Sequence, residues 1–240
     1  MAAGNASDGL RADPGFRLLS LKGHGVKWGP GGPGTPAAIR YAFLRAPLAR
    51  PGARNCSDML PFPENLSGRA VPFSRVAAEF RAAFASWQEV AGVAFEEVAD
   101  TGDADIVLGV QARPRGIAYA DVAPLSKPFV LFGNGGRAAV CLNPAATWKT
   151  GFDGNERTYD IRYVAVHEIG HVIGLDHAGG PGDRSLRIMS FGYRERFRSP
   201  QPGDIAGARF LYGPPLSQPP SAMPTAGFLP VSVSVPQTRP

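Results

Sequence analysis

Eleven consecutive residues, His167-Glu168-Ile169-Gly170-His171-Val172-Ile173-Gly174-Leu175-Asp176-His177, hold three of the chain's four histidines and constrain its fold more than any other stretch. On a helix, His167 and His171 are four residues apart and project from one face, one turn above the other. Two imidazoles so placed can share one Zn²⁺ at about 2.0–2.1 Å per bond. Glu168 is rotated about a quarter turn from the first ligand, so its carboxylate can face the water on a metal rather than the metal itself. Gly174 permits a backbone turn that a residue with a Cβ resists. The chain then doubles back and delivers His177 as third ligand. Three protein ligands leave a fourth zinc position for water, which distinguishes a catalytic zinc site from a structural one.

A second signal lies twelve residues beyond His177. Met189, within Arg187-Ile188-Met189-Ser190, can be placed by a tight turn beneath the three imidazoles. Alone it reads as core filler. With the histidines it completes the pattern of the metzincin zinc peptidases, which the chain resembles. The resemblance extends along residues 21 to 214 and is nearest to the matrixins and serralysins. Lys27-Trp28 and Ile39-Arg40-Tyr41-Ala42-Phe43 look like the opening of a matrixin catalytic domain. Phe80 to Trp87, Phe95 and Ala104-Asp105-Ile106-Val107 look like its first helix and next two strands, and Asp204 to Gly213 like the closing helix. The implied fold is α+β: a twisted, mostly parallel five-stranded sheet with an antiparallel edge strand, and three helices.

The residues support that reading independently. Phe73, Val76, Phe80, Phe84 and Trp87 recur at intervals of three and four, which predicts an amphipathic helix over 74–90 with that stripe inward. Helices are also expected over 158–173, capped by Thr158 or Asp160, and over 202–212. Strands are expected near 37–44, 93–98, 104–110, 117–122 and 138–142. The chain divides into an N-terminal arm (1–20), a catalytic domain (21–214) and a tail (215–240) too Pro-rich to fold alone. Cys56 and Cys141 can form one disulfide if their Cα atoms lie within about 7 Å. Their placement in a loop and a strand leans towards two free thiols.

Composition sets limits on partners. No run approaches the ~18 apolar residues a membrane span needs. The net charge of +5 comes from scattered arginines rather than a basic, aromatic face, so nucleic acid is not an expected partner. Arg184, Arg187, Arg194, Arg196 and Arg198 do gather around Met189, and read as a solvated loop or as a preference for acidic substrates. The N-terminus has neither a basic start nor an apolar core of a signal peptide. The resemblance nonetheless implies a secreted or extracellular protein, and a monomer.

The implied activity is a zinc metalloendopeptidase with one catalytic Zn²⁺ on His167, His171 and His177, Glu168 as general base and acid, and Met189 in support. By the same resemblance, Ile117, Ala118 and Tyr119 belong to an edge strand that pairs with an extended polypeptide substrate. Phe191 and Tyr193 stand where family members build the wall of the main specificity pocket. The residues alone leave those five as an ordinary edge strand and loop packing. The chain also departs from the pattern. Phe191 replaces a Tyr that can approach the zinc in serralysins and astacins. Outside the motif only His24 remains, so the second, structural zinc of matrixins has no equivalent ligand set. Gln111 to Gly116 is basic where a calcium loop would offer carboxylates, so Ca²⁺ is allowed by the resemblance without identifiable ligands. No cysteine precedes Cys56 to cap the zinc from a propeptide. Two other functions fit the same residues: a zinc amidohydrolase acting on a non-protein amide such as a peptidoglycan cross-link, and a catalytically silent binding module.

Overall fold

A computed structural model of the chain describes residues 15–21, 23–66, 71–122, 130–131, 138–179 and 186–217. The first fourteen residues of the expected arm, Arg184, and the tail from 218 lie outside the described residues.

Five strands form the spine of the principal sheet: β1 (Ala37–Phe43), β2 (Val93–Glu97), β3 (Ile106–Gln111), β4 (Ala118–Asp121) and β5 (Ala138–Leu142). Their spatial order is β4-β5-β3-β1-β2. All neighbours run parallel except β4, which lies antiparallel to β5 with Tyr119 opposite Cys141. Two short strands, Leu48–Ala49 and Asp58–Leu60, attach beside β3, so the sheet counts seven strands rather than five.

Side chains alternate across a strand, and here both faces are covered. Ile39, Tyr41, Ile106, Leu108, Val140 and Leu142 face the helices, where Phe80, Phe84 and Trp87 of α1 (Phe73–Gln88) and Ala165 and Ile169 of α2 (Ile161–Val172) complete the main core. Full burial of each large apolar side chain contributes roughly 1.5–3 kcal/mol. The inward stripe read from the sequence is the buried face of α1, and Tyr41 stacks on Phe84 with ring centroids 4.0 Å apart.

The opposite face carries Ala42, Val107, Ala139 and Cys141, covered by Leu44, Cys56 and Met59. Here the expectation of free thiols fails. Cys56 and Cys141 form a disulfide, their Cα atoms 5.9 Å apart and both side chains fully buried. The physical reason is the chain path. The loop after Leu48–Ala49 folds back under β4 and β5, and sequence spacing carries no record of that return.

The final helix, α3 (Pro202–Tyr212), begins with Pro202 in its first turn, and the Asp204 carboxylate accepts the Gln201 backbone N–H. Residues 15–20, the last part of the expected arm, together with Leu21 hold the short strands Arg17–Leu18 and Ser20–Leu21; the first pairs antiparallel with Leu175–Asp176. Among the described residues, no helix is long and apolar enough to cross a membrane.

Candidate active site

Helix α2 starts at Asp160, whose buried carboxylate accepts the Tyr163 backbone N–H at 2.8 Å; Thr158, the other expected cap, lies before the helix. The carboxylate also receives two hydrogen bonds from Arg198, at 2.8 Å each, and Arg198 and Arg162 both reach Glu79 of α1. This network fixes α2 against α1. Arg194 likewise pairs with Glu156 at 3.2 Å. Part of the arginine group around Met189 is therefore an ion-pair network rather than a solvated loop.

At its other end α2 stops at Gly174, whose φ of +104° favours glycine and whose Cβ would stand 2.1 Å from the Val26 carbonyl oxygen. The last carbonyls of a helix lack helical partners. Val172 is served by the Trp28 indole N–H at 2.8 Å and Ile173 by the Tyr212 hydroxyl at 2.8 Å. The turn leads into Leu175–Asp176, held by Arg17–Leu18, and so to His177.

The result is a triangle of imidazole nitrogens. Nε2 of His167 lies 3.1 Å from that of His177 and 3.2 Å from that of His171, with 3.3 Å between His171 and His177. Tetrahedral ligation with bonds of about 2.0–2.1 Å places neighbouring donor atoms about 3.3 Å apart, close to what is seen. His167 Nδ1 donates to the Ile188 carbonyl at 2.7 Å and His171 Nδ1 to the Leu175 carbonyl at 2.9 Å. Each neutral ring carries one proton, so these bonds leave both Nε2 atoms as lone pairs pointing at a common centre. Burial lowers the pKa of all three: His167 well below the usual imidazole range, His171 to about 4, and His177 less deeply placed but in the same direction. Three convergent, neutral donors suit a single cation such as Zn²⁺, and they form the only such cluster among the described residues.

Glu168 is almost fully buried and lines the same cleft as the histidines. Burial pushes its pKa up to about 8, while an N–H from Ala120 in β4 pulls the other way. Helix α2 and the sheet edge are thus joined at the Glu168 carboxyl. The cleft is open and has a volume of about 920 Å³. Its lining includes Ala118, Tyr119 and Ala120 of β4, Leu19 and Leu21 near the chain's start, and the loop Arg50 to Asn55.

Met189 is buried against α2, its sulfur at Gly170, where a Cβ would lie 2.3 Å from it. The turn that presents it is tied to α3, since Asp204 accepts the backbone N–H groups of Ile188 at 2.7 Å and Met189 at 3.2 Å. Asp204 thus acts on the site from a helix that sequence reading treated only as a closing element. Its signal was a carboxylate at the third position of a helix otherwise due for burial.

The remaining expected positions divide. Ala118 and Tyr119 line the cleft, while Ile117 packs towards the main core and uses its carbonyl to accept the Asn143 N–H. Phe191 is 62% exposed and stacks on His177 at 4.2 Å, at the rim. Tyr193 lies deeper. Its hydroxyl accepts the Asp160 N–H and donates to Glu195, and its ring packs edge-on against Tyr163. Leu19, Leu21 and the loop wall had no motif to announce them; only the pairing of Cys56 with Cys141 would have brought that loop to the cleft.

Comparison with known proteins matches residues 64–213 to the Peptidase_M10 family model, described as matrixin. Metalloendoproteinase 1-MMP of Arabidopsis thaliana is 34% identical over 139 residues, covering 56% of this chain and 37% of that protein. Human matrix metalloproteinase-19 is 30% identical over 161 residues, 62% of this chain and 28% of the relative. Human matrix metalloproteinase-16 is 30% identical over 159 residues, 60% of this chain and 25% of the relative. The match spans little more than a third of the longest-covered of these relatives.

Proposed function

The chain belongs to the matrixin family, and on that premise we propose that it is a zinc-dependent metalloendopeptidase that cleaves internal bonds of extended polypeptides. The observation that carries this reading is the convergence of three neutral imidazole nitrogens beside a buried carboxyl at the foot of an open sheet edge. His167, His171 and His177 would hold the zinc, which when bound lowers the pKa of a water towards about 7 and polarises a carbonyl as a Lewis acid.

The protein's own groups do the rest. Main-chain groups of Ala118 to Ala120 offer an extended partner a strand to pair with, which places a peptide lengthwise in the cleft. Glu168 takes the proton of the attacking water and returns it to the departing amine. The Ala120 N–H holds that carboxyl in register with the edge strand, so base and substrate backbone are aligned by one element. The length and openness of the cleft favour a polypeptide over a small amide. The buried disulfide suits an oxidising, extracellular compartment.

A quenched-fluorescence peptide library tests the reading. Zinc-loaded protein should cleave internal bonds, lose that activity to a chelator and regain it with zinc. Absence of cleavage by protein shown to hold one zinc would overturn it.

A further inference from the structure

We propose that Arg54, Arg113 and Arg115 form a subsite for an acidic side chain of the substrate, three or four residues beyond the scissile bond on its C-terminal side. The proposal rests on the peptidase reading and adds a substrate class to it.

The three arginines surround a recess of about 100 Å³ that also includes Tyr119 and Asp58. The recess adjoins the main cleft, since Arg54, Asn55 and Tyr119 line both. All three arginines are exposed. Among the described residues, only Arg113 has a carboxylate within 4 Å, that of Asp58 at 3.3 Å. Three guanidinium groups thus face one carboxylate, and the surplus is positive.

The two loops that carry these side chains are pinned. Asn55 and Cys56, which follow Arg54, donate their backbone N–H groups to the Asp121 carboxylate at 2.9 and 2.6 Å, and the disulfide ties Cys56 to β5. On the other side, the Arg115 N–H donates to the side-chain oxygen of buried Gln111 at 2.6 Å. The Gln111 amide in turn reaches the Cys141 carbonyl. Both loops are therefore anchored to the same residue of β5. Holding the backbones in place lowers the ordering cost of binding, and the guanidinium fork matches a carboxylate.

The strand sets the position. Ala120 marks the reacting centre, because its N–H meets Glu168. Strand β4 runs from Ala118 towards Asp121, so an antiparallel partner runs the opposite way, from the reacting centre towards Gly116 and the basic recess. With one partner residue per strand residue, the recess is reached about three or four residues on.

The test compares two peptides that differ only in having Glu or Gln at the third and fourth positions after the scissile bond. Zinc-loaded wild-type protein should favour the Glu peptide about three- to tenfold in kcat/KM at low ionic strength, with the ratio shrinking as salt is added. In the triple variant Arg54→Gln, Arg113→Gln, Arg115→Gln, that ratio should fall to about one, with thermal melting as the check on folding and single substitutions as the fallback. No Glu preference in the wild type, or a preference that survives in the variant, overturns the subsite while leaving the peptidase reading intact. If neither peptide is cleaved, fluorescence anisotropy of the same labelled pair still decides. Tighter binding of the Glu peptide that is lost in the variant supports the subsite, and equal binding overturns it.

Discussion

The sulfur of Met189 occupies the space that a Cβ on Gly170 would need. Gly170 sits between His167 and His171 on α2, so the helix that presents these two imidazoles is seated directly on the methionine.

Gly170→Ala should therefore destabilise the fold by about 1–3 kcal/mol, the usual cost of forcing an extra carbon into a packed site. Trp87, 3.1 Å from the same Cβ position, blocks an easy escape. Met189→Leu, which nearly conserves volume, should cost less than about 1.5 kcal/mol. Thermal or urea denaturation of the two variants checks this, and a Gly170→Ala protein as stable as the wild type would refute the close packing.

Binding and chemistry should separate at neighbouring residues. Glu168→Ala should retain one equivalent of zinc and lose about two to four orders of magnitude in peptide cleavage. His171→Ala should lose the metal, because its Nε2 is one of the three converging donors. Metal analysis with kinetics on each variant is sufficient, and near-normal cleavage by Glu168→Ala would remove it as the base.

Acid should strip the site. The three histidines are neutral in the folded protein with pKa values below the 6.5 of free imidazole, His171 at about 4. The unfolded state thus takes up protons first, so the stability these groups contribute is present above pH 6.5 and lost as pH falls towards their folded values. Protons also compete directly with a metal for the same lone pairs. Activity and bound zinc should decline together below about pH 6 and return on neutralisation with added zinc. Full activity with zinc retained at about pH 4 would contradict the three-histidine site.

Removing the disulfide by Cys56→Ser with Cys141→Ser should cost about 2–5 kcal/mol, since the bond closes a chain segment of 85 residues. The same change frees the loop that walls the cleft, so KM for peptides should rise more than kcat falls. A double variant with unchanged melting temperature and KM would show that Asp121 alone holds the loop.

The legible parts of this protein were those encoded locally. The histidine spacing, the glycine turn and the inward stripe of α1 each follow from one helical or strand period, and the structure places all of them as read. Asp160 was readable as a cap for the same reason. What escaped was set by chain segments far apart in sequence. Leu19 and Leu21 reach the cleft because Arg17–Leu18 pairs with Leu175–Asp176, and the Arg50 to Asn55 wall arrives through Cys56 and Asp121. Tyr193 reads as a pocket residue by position, yet its hydroxyl is engaged with the start of α2.

The short pairing of Arg17 with Asp176 joins residues 159 positions apart in the chain, immediately before His177. His167 and His171 are brought together by a single turn of helix, a contact that forms early and locally. The strand leading to His177 is in addition held by a pairing whose loop closure costs more entropy than a turn of helix. A metal held by all three imidazoles would therefore bind tightly only once that distant pairing is in place, which would tie the proposed zinc site to completion of the fold.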